Sequence, residues 1–172
     1  RLPEGKEVRV LDLGTGSGVV AVTVNLKRPR ARVTATELWV AALAVARGNA
    51  DHLGARNVRF VHGDWYEGLE GERFDLVVSN PPYVAAADPH LEQGDLRFEP
   101  YEALVGGVDG LDSIRRIIAE GSDHLSPGGW LLFEHGYNQA PACRELLAGA
   151  GFSEVFSRRD LAGIERVSGG RW

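Results

Sequence analysis

The chain of 172 residues has one cysteine, Cys143, and no methionine, not even at position 1. A single cysteine excludes an internal disulfide and suits a reducing compartment, so a cytoplasmic location is expected. Cys143 lies in a helix-like stretch without a CxxC partner and reads as buried filler. No apolar run nears the roughly 18 residues that span a bilayer, and no signal-peptide pattern opens the chain, so no membrane partner is expected. Basic runs are also missing. With a net charge of −5, direct contact with nucleic acid, which normally shows as a basic surface, is not expected. The five histidines (52, 62, 90, 124, 135) show no metal-ligand spacing, and no metal site is expected. The absence of an initiating methionine and a start almost directly on a strand suggest a fragment whose N-terminal part has been removed.

What is present is an alternation of strand and helix patterns in a length that suits one domain. Strand patterns cover 8–13, 31–38, 57–64, 73–80, 129–136, 153–161 and 163–172. Helix patterns cover 19–28, 40–53 (with Gly54 as its stop), 111–125 (with Asp112 or Ser113 as its cap) and 138–152. Pro127-Gly128-Gly129 reads as a turn, and residues 84 to about 103 as a long loop framing a pocket. Interleaved strands and helices predict an α/β fold: a seven-stranded, mostly parallel sheet closed by an antiparallel hairpin. Ligands in such sheets bind beyond the C-terminal ends of the strands, which is where the informative residues fall.

After the first strand comes LDLGTGSG, with Gly14, Gly16 and Gly18 before a helix. A phosphate-binding loop would need Lys-Ser/Thr where Val19-Val20 stand, and a dinucleotide fingerprint would need glycine at Val19. What remains, G-x-G-x-G after an acidic D-x, is the spacing of folds that bind S-adenosyl-L-methionine. The second strand reaches Glu37, a carboxylate able to accept both ribose hydroxyls of an adenosine. The third ends in Gly63-Asp64-Trp65, where Asp64 can accept from an adenine amine and Trp65 can cover the ring or lend its N–H.

The fourth strand ends in VVSNPPY. Each proline fixes φ, and Asn80 is pushed to extended geometry, which makes a stiff rim with free carbonyls. The Asn80 side-chain carbonyl and the Pro81 carbonyl can accept both hydrogens of one planar –NH2 group, with Tyr83 against its face. Such a device suits an amide or aromatic amine, whose nitrogen must be oriented because it is weakly nucleophilic.

LDLGTGSG, GDW, FDLVVSNPPY, FEPYEAL with GGVDGLDSIRRII, PGGWLLFEHGYNQ and ERVSGGRW together resemble the HemK/PrmC family of protein-(glutamine-N5) methyltransferases across essentially the whole chain. The resemblance implies a Rossmann-like class I methyltransferase fold. It implies methyl transfer from S-adenosyl-L-methionine, leaving S-adenosyl-L-homocysteine, to the glutamine of the Gly-Gly-Gln motif of class I peptide chain release factors. By that resemblance Gly14, Thr15, Gly16, Ser17, Gly18, Glu37, Trp65 and Asn80 contact the methyl donor. Asn80, Pro81, Pro82 and Tyr83 hold the glutamine. Asp64 as an adenine contact rests on the residues alone. Glu37-Leu38-Trp39 departs from the family's more usual Asp. The family's N-terminal helical docking domain has no counterpart here, so donor binding with weak release-factor methylation is expected, and the chain is expected to be a monomer.

NPPY also suits the exocyclic adenine amine of nucleic acid, although the charge balance opposes it. A glutamine of a ribosomal protein is a nearer alternative, and a non-catalytic donor-binding module a more distant one. Arg97, Phe98, Glu99 and Pro100 lie in the long loop. His135 is expected to be packed or hydrogen-bonded, Glu134 to orient groups near the pocket, and Trp39, Trp130 and Trp172 to pack.

Overall fold

The computed structural model describes residues 7–92 and 100–172. Its elements in chain order are β1 (Arg9–Leu13), α1 (Val19–Lys27), β2 (Arg32–Glu37), α2 (Val40–Leu53), β3 (Val58–His62), β4 (Phe74–Ser79), the short α3 (Tyr101–Leu104), α4 (Asp112–Gly121), β5 (Leu125–Glu134), α5 (Ala140–Gly149), β6 (Ser153–Arg159) and β7 (Glu165–Arg171). One seven-stranded sheet has the order β3-β2-β1-β4-β5-β7-β6. β1 pairs parallel with β2 and β4, β2 pairs parallel with β3, and β6 pairs antiparallel with β7. The expected mostly parallel sheet with a closing hairpin is therefore present. By internal contacts the chain forms two compact units. One runs through Ser79 and takes in Gly121–Leu132 and Trp172; the other comprises Asn80–Glu120 and Phe133–Arg171.

In the first unit the core gathers Val10, Ala21, Ala31, Val33 and Ala35, with Val24, Val58, Phe60 and Leu76 packed around them. The alanines matter because α1 crosses β2 and β3, and small side chains let a helix lie close to a sheet. α1 itself carries four valines, poor helix formers, so its helical state comes from this crossing rather than from propensity. α2 is alanine-rich and stops at Gly54, whose φ of 74° is left-handed, as its sequence predicts. In the second unit Ile114 and Ile117 of α4 and Cys143 and Leu147 of α5 are fully buried. Burial pushes the Cys143 thiol up to about 12, which makes it an inert packing group.

Several sequence expectations change. Pro127-Gly128-Gly129 is not a turn but lies within β5. The Gly128 N–H donates to the Trp172 carbonyl (2.8 Å) and the Trp172 N–H to the Gly129 carbonyl (2.9 Å). A pairing with the last residue of the chain thus overrides a local turn signal. Pro-Gly-Gly tolerates it because Gly128 has φ 80°. The helix predicted over 111–125 ends at Gly121, followed by a 3-10 turn at Ser122–His124. The predicted loop after β4 carries a 3-10 turn at Pro89–Glu92 and α3, and Val84 bridges Val105 in parallel. Pro100 precedes α3, whereas Arg97, Phe98 and Glu99 lie outside the described residues. Trp39 and Trp172, expected to pack, are 52% and 41% exposed. No described helix is long and apolar enough to cross a membrane.

Leu11, completely buried in β1, tests the core. Leu11→Ala is expected to cost about 3 kcal/mol, from lost apolar burial and the cavity left behind, read as a lowered midpoint in urea unfolding.

Candidate functional site

In the first unit, three strands end at one level. Leu13 is the register partner of Thr36, and Glu37 that of His62. The Thr15 N–H extends the ladder to the Thr36 carbonyl (3.0 Å), and the Gly63 N–H reaches the Glu37 carbonyl (3.1 Å). These contacts bring the glycine turn, Glu37 and the Gly63-Asp64-Trp65 corner together, as the sequence spacing predicts.

The three glycines of the turn serve different ends. All have positive φ, at 63°, 57° and 86° for Gly14, Gly16 and Gly18. A Cβ on Gly14 would stand 3.3 Å from the Trp65 ring, and one on Gly18 would stand 3.1 Å from the Ala46 Cβ of α2. A Cβ on Gly16 would meet nothing within 4 Å. Gly14 and Gly18 are therefore packing glycines, and Gly16 leaves backbone bare toward open space. Trp65 has φ 52°, a left-handed conformation costly for a bulky side chain, and this conformation holds its ring against Gly14.

Glu37 is 6% exposed. Its Oε2 accepts from the Gly16 N–H (2.8 Å) and its Oε1 from the Trp39 N–H (3.0 Å). A carboxylate offers about four lone-pair sites, so two beyond these hydrogen bonds remain while the group is held rigidly. The Asp64 N–H donates to Glu67 Oε2 (3.1 Å), and the Ser17 carbonyl accepts from Asn49 Nδ2 (2.9 Å). The donor set, with bare glycine backbone, an aromatic wall and a fixed carboxylate, fits an adenosine-bearing cofactor.

A residue outside the sequence-based candidates organises this turn. Asp12 is 1% exposed. Its Oδ2 accepts from Thr15 Oγ1 (2.6 Å) and from the Ala21 N–H (3.0 Å) in the first turn of α1. Burial pushes its pKa from 3.8 up to about 6, with the nearby Glu37 charge adding to the rise against the two hydrogen bonds. The signal that could have found it is the acid of D-x-G, which stands in the sequence as part of the motif's spacing.

The second unit begins at Asn80. Asn80 is exposed, and among the described residues none hydrogen-bonds its side-chain amide, while Pro81 is buried. Pro82 and Tyr83 run into a cradle that sequence reasoning passed over. A Cβ on Gly106 would stand 2.5 Å from the Pro82 carbonyl oxygen, and one on Gly110 would stand 2.3 Å from the Tyr83 carbonyl oxygen. Only glycine permits that approach. Gln139 closes the cradle: its Nε2 donates to the carbonyls of Tyr83 (3.0 Å) and Asp109 (3.1 Å), and its Oε1 accepts from the Gly136 N–H (2.7 Å). Asp109 is itself pinned by Arg115, whose hydrogen bonds hold its carboxyl down to about 2. The Tyr83 hydroxyl donates to Glu134 Oε1 (3.1 Å); burial and then the Glu134 charge raise its pKa above 10.0, so the phenol stays protonated.

His135 is fully buried, and burial lowers its pKa. Its Nδ1–H donates to the Gly136 carbonyl (2.9 Å), so Nε2 accepts from Ser168 Oγ (2.9 Å). Ser168 accepts in turn from Ser157 (2.8 Å), which accepts from Arg144 Nη1 (2.7 Å). All of its hydrogen-bonding capacity is spent within the fold, which makes it the packed histidine that the sequence predicts.

Two outcomes test these assignments. The folded pKa of Asp12 lies above its unfolded one, so below about 3.8 neither state pays for ionisation. Between about 4 and about 6 the folded state keeps a proton that the unfolded state releases, and stability falls; above about 6 the full cost, about 3 kcal/mol, is present. Relative to wild type, Asp12→Asn is expected to remove that loss in urea titrations between pH 4 and 7. Gln139→Ala leaves the Gly136 N–H and two carbonyls without their partner and is expected to cost about 2–4 kcal/mol in the same measurement.

Known proteins resemble this chain in sequence and in fold. The family model described as "Methyltransferase small domain" matches residues 1–94. A release factor glutamine methyltransferase of Bordetella pertussis is 61% identical over 163 residues, covering 94% of this chain and 60% of that protein. Another from Xylella fastidiosa is 53% identical over 171 residues, covering 99% of this chain and 62% of that protein. The chain thus spans about 60% of the length of these curated relatives. Among solved structures, a methyltransferase from Pyrococcus furiosus has a TM-score of 0.72 and 25% identity, covering 96% of this chain and 74% of that one. A ribosomal protein L11 methylase from Lactobacillus delbrueckii shares the fold, with a TM-score of 0.69 and 21% identity over 98% of this chain and 72% of that one. With the glycine turn, the aligned strand ends and the seven-stranded sheet all in place, the chain belongs to the methyltransferase small domain family.

Proposed function

We propose that the chain methylates the side-chain amide nitrogen of a protein glutamine, the acceptor being the Gly-Gly-Gln motif of class I peptide chain release factors. Relatives bearing that activity in their names, at 61% and 53% identity, support the acceptor. The observation that carries the chemistry is Asn80: an exposed amide without a partner among the described residues, immediately after Ser79. Ser79 is the register partner of Leu13, the residue before the glycine turn.

S-adenosyl-L-methionine supplies an electrophilic sulfonium methyl and leaves as S-adenosyl-L-homocysteine. Gly16 gives close backbone approach, Glu37 accepts ribose hydroxyls, Trp65 walls the site, and Thr15, Ser17 and Asp64 complete it. Asn80 Oδ1 and the Pro81 carbonyl accept the two N–H groups of the acceptor amide, and the Tyr83 ring lies against its plane. Fixed acceptors hold the nitrogen for attack and favour its pyramidal, positively charging geometry, without repositioning during the reaction. The new C–N bond leaves a cationic nitrogen that sheds one proton readily to water, so no strong base is required. Residues 1–172 then act as one catalytic domain, monomeric and cytoplasmic.

The test is peptide mass spectrometry of an unmethylated release factor incubated with this chain and S-adenosyl-L-methionine. One methyl on the Gly-Gly-Gln glutamine is expected, and methyl on any other residue would overturn the acceptor assignment. Asn80→Ala is expected to lower kcat/KM about 100-fold, the scale of losing one fixed polar contact to the reacting group. Glu37→Ala is expected to weaken cofactor binding by about tenfold in calorimetry, as a hydrogen bond to a charged acceptor is lost.

A further inference from the structure

Beside Tyr83 the second unit contains a cavity of about 400 Å³ that the glutamine-holding role leaves unexplained. It is lined by Tyr83, Glu134, Arg158, Arg159, Asp160 and Arg166. The volume lies in the ordinary range for ligand sites, and the lining is dominated by guanidinium groups.

Both carboxylates in the cavity are already committed. Glu134 takes the Tyr83 hydroxyl. Asp160 shapes the tip of the β6–β7 hairpin: its Oδ1 accepts from the N–H groups of Ala162 and Ile164 (2.9 Å each), and its Oδ2 stands 3.6 Å from Arg166 Nε. The arginines are oriented but far from saturated, since each offers five N–H donors. Arg159 Nη1 donates to the Gly163 carbonyl (2.8 Å) and Arg158 Nη1 to the Ser157 carbonyl (3.3 Å), while the Arg158 guanidinium lies 4.6 Å from the Phe156 ring centroid. Held in this way, they lose little freedom on meeting an anion. Three permanent positive charges against two carboxylates leave a net charge of +1, which suits a single carboxylate better than a phosphate dianion.

We propose that this cavity docks an acidic side chain of the acceptor polypeptide, close in sequence to the glutamine being methylated. The proposal rests on the protein-glutamine reading above. Tyr83 belongs to both the amide-holding rim and the cavity wall, so a polypeptide whose glutamine lies against Tyr83 passes the arginines within a few residues. The site adds charge selection to an amide device that cannot by itself distinguish one glutamine from another.

The experiment uses two glutamine peptides that differ only in one flanking position, Glu in one and Gln in the other, together with unreactive versions carrying Leu at the acceptor site. The Glu peptide is expected to be preferred about tenfold in kcat/KM, and its unreactive version in calorimetric affinity, with the preference shrinking in high salt as charge pairs are screened. In Arg158→Ala/Arg159→Ala the ratio between the two peptides is expected to fall close to one. A wild-type ratio within about twofold, or a ratio unchanged in the variant, overturns the proposal whether or not the glutamines are methylated. Charge-selective binding without methyl transfer supports the docking site and overturns the glutamine chemistry instead. If a short phosphorylated oligonucleotide displaces the Glu peptide at lower concentration than free Glu peptide does, the cavity is a phosphate site and the proposal fails.

Discussion

A carboxylate almost shut off from water, that of Asp12, ties the glycine turn to the start of α1. Those two side-chain hydrogen bonds add to the backbone bonds from Gly18 N–H to Thr15 and from Val22 N–H to Gly18, which join a left-handed, glycine-rich turn to a helix of poor intrinsic propensity. The arrangement is costly, since burial pushes the acid up to about 6. That cost fixes the backbone of a turn whose glycines all have positive φ. Glu37 repeats the device one strand away: it binds the Gly16 N–H from outside the turn that Asp12 secures from within. The bare face of Gly16 and the unusual backbone of Trp65 then have a rigid frame to rest on.

The Asn80–Tyr83 segment is stiffened by different means. Pro81 and Pro82 restrict φ covalently, whereas the Pro82 and Tyr83 carbonyls lie where only glycine fits beside them, and Gln139 bonds that of Tyr83. A side-chain amide is well suited to that clamp because it donates twice and accepts once with fixed geometry, and Gln139 uses all three capacities. Asn80 is exposed at the start of this segment, whose Tyr83 carbonyl is already taken by Gln139.

The same economy runs through the second unit. Tyr83 is held by Glu134, and the chain from part-buried Arg144 and Ser157 to buried Ser168 and His135 has only one consistent donor direction. Against that interior, Arg158, Arg159 and Arg166 of the β6–β7 hairpin stand out for offering more N–H donors than their contacts use. The glycine turn and the NPPY rim use backbone and amide groups, whereas the hairpin offers guanidinium charge.

The α/β alternation, the strand ends and the residues at them were legible because each is a local signal. Apolar runs mark strands, glycines mark positive φ, and prolines after Asn80 mark a stiff exit. Asp12, Gln139, Gly106 and Gly110 were not legible as working residues, because their roles appear only when distant backbone atoms arrive beside them. Pro127-Gly128-Gly129 shows the same limit from the other side: a strong local turn signal yields to pairing with Trp172. The sequence by itself determined which elements form and which chemical groups stand at their ends. Only the tertiary structure decided which polar groups are consumed in holding the turns and which remain for a ligand, because hydrogen-bond capacity is settled between partners far apart in the chain.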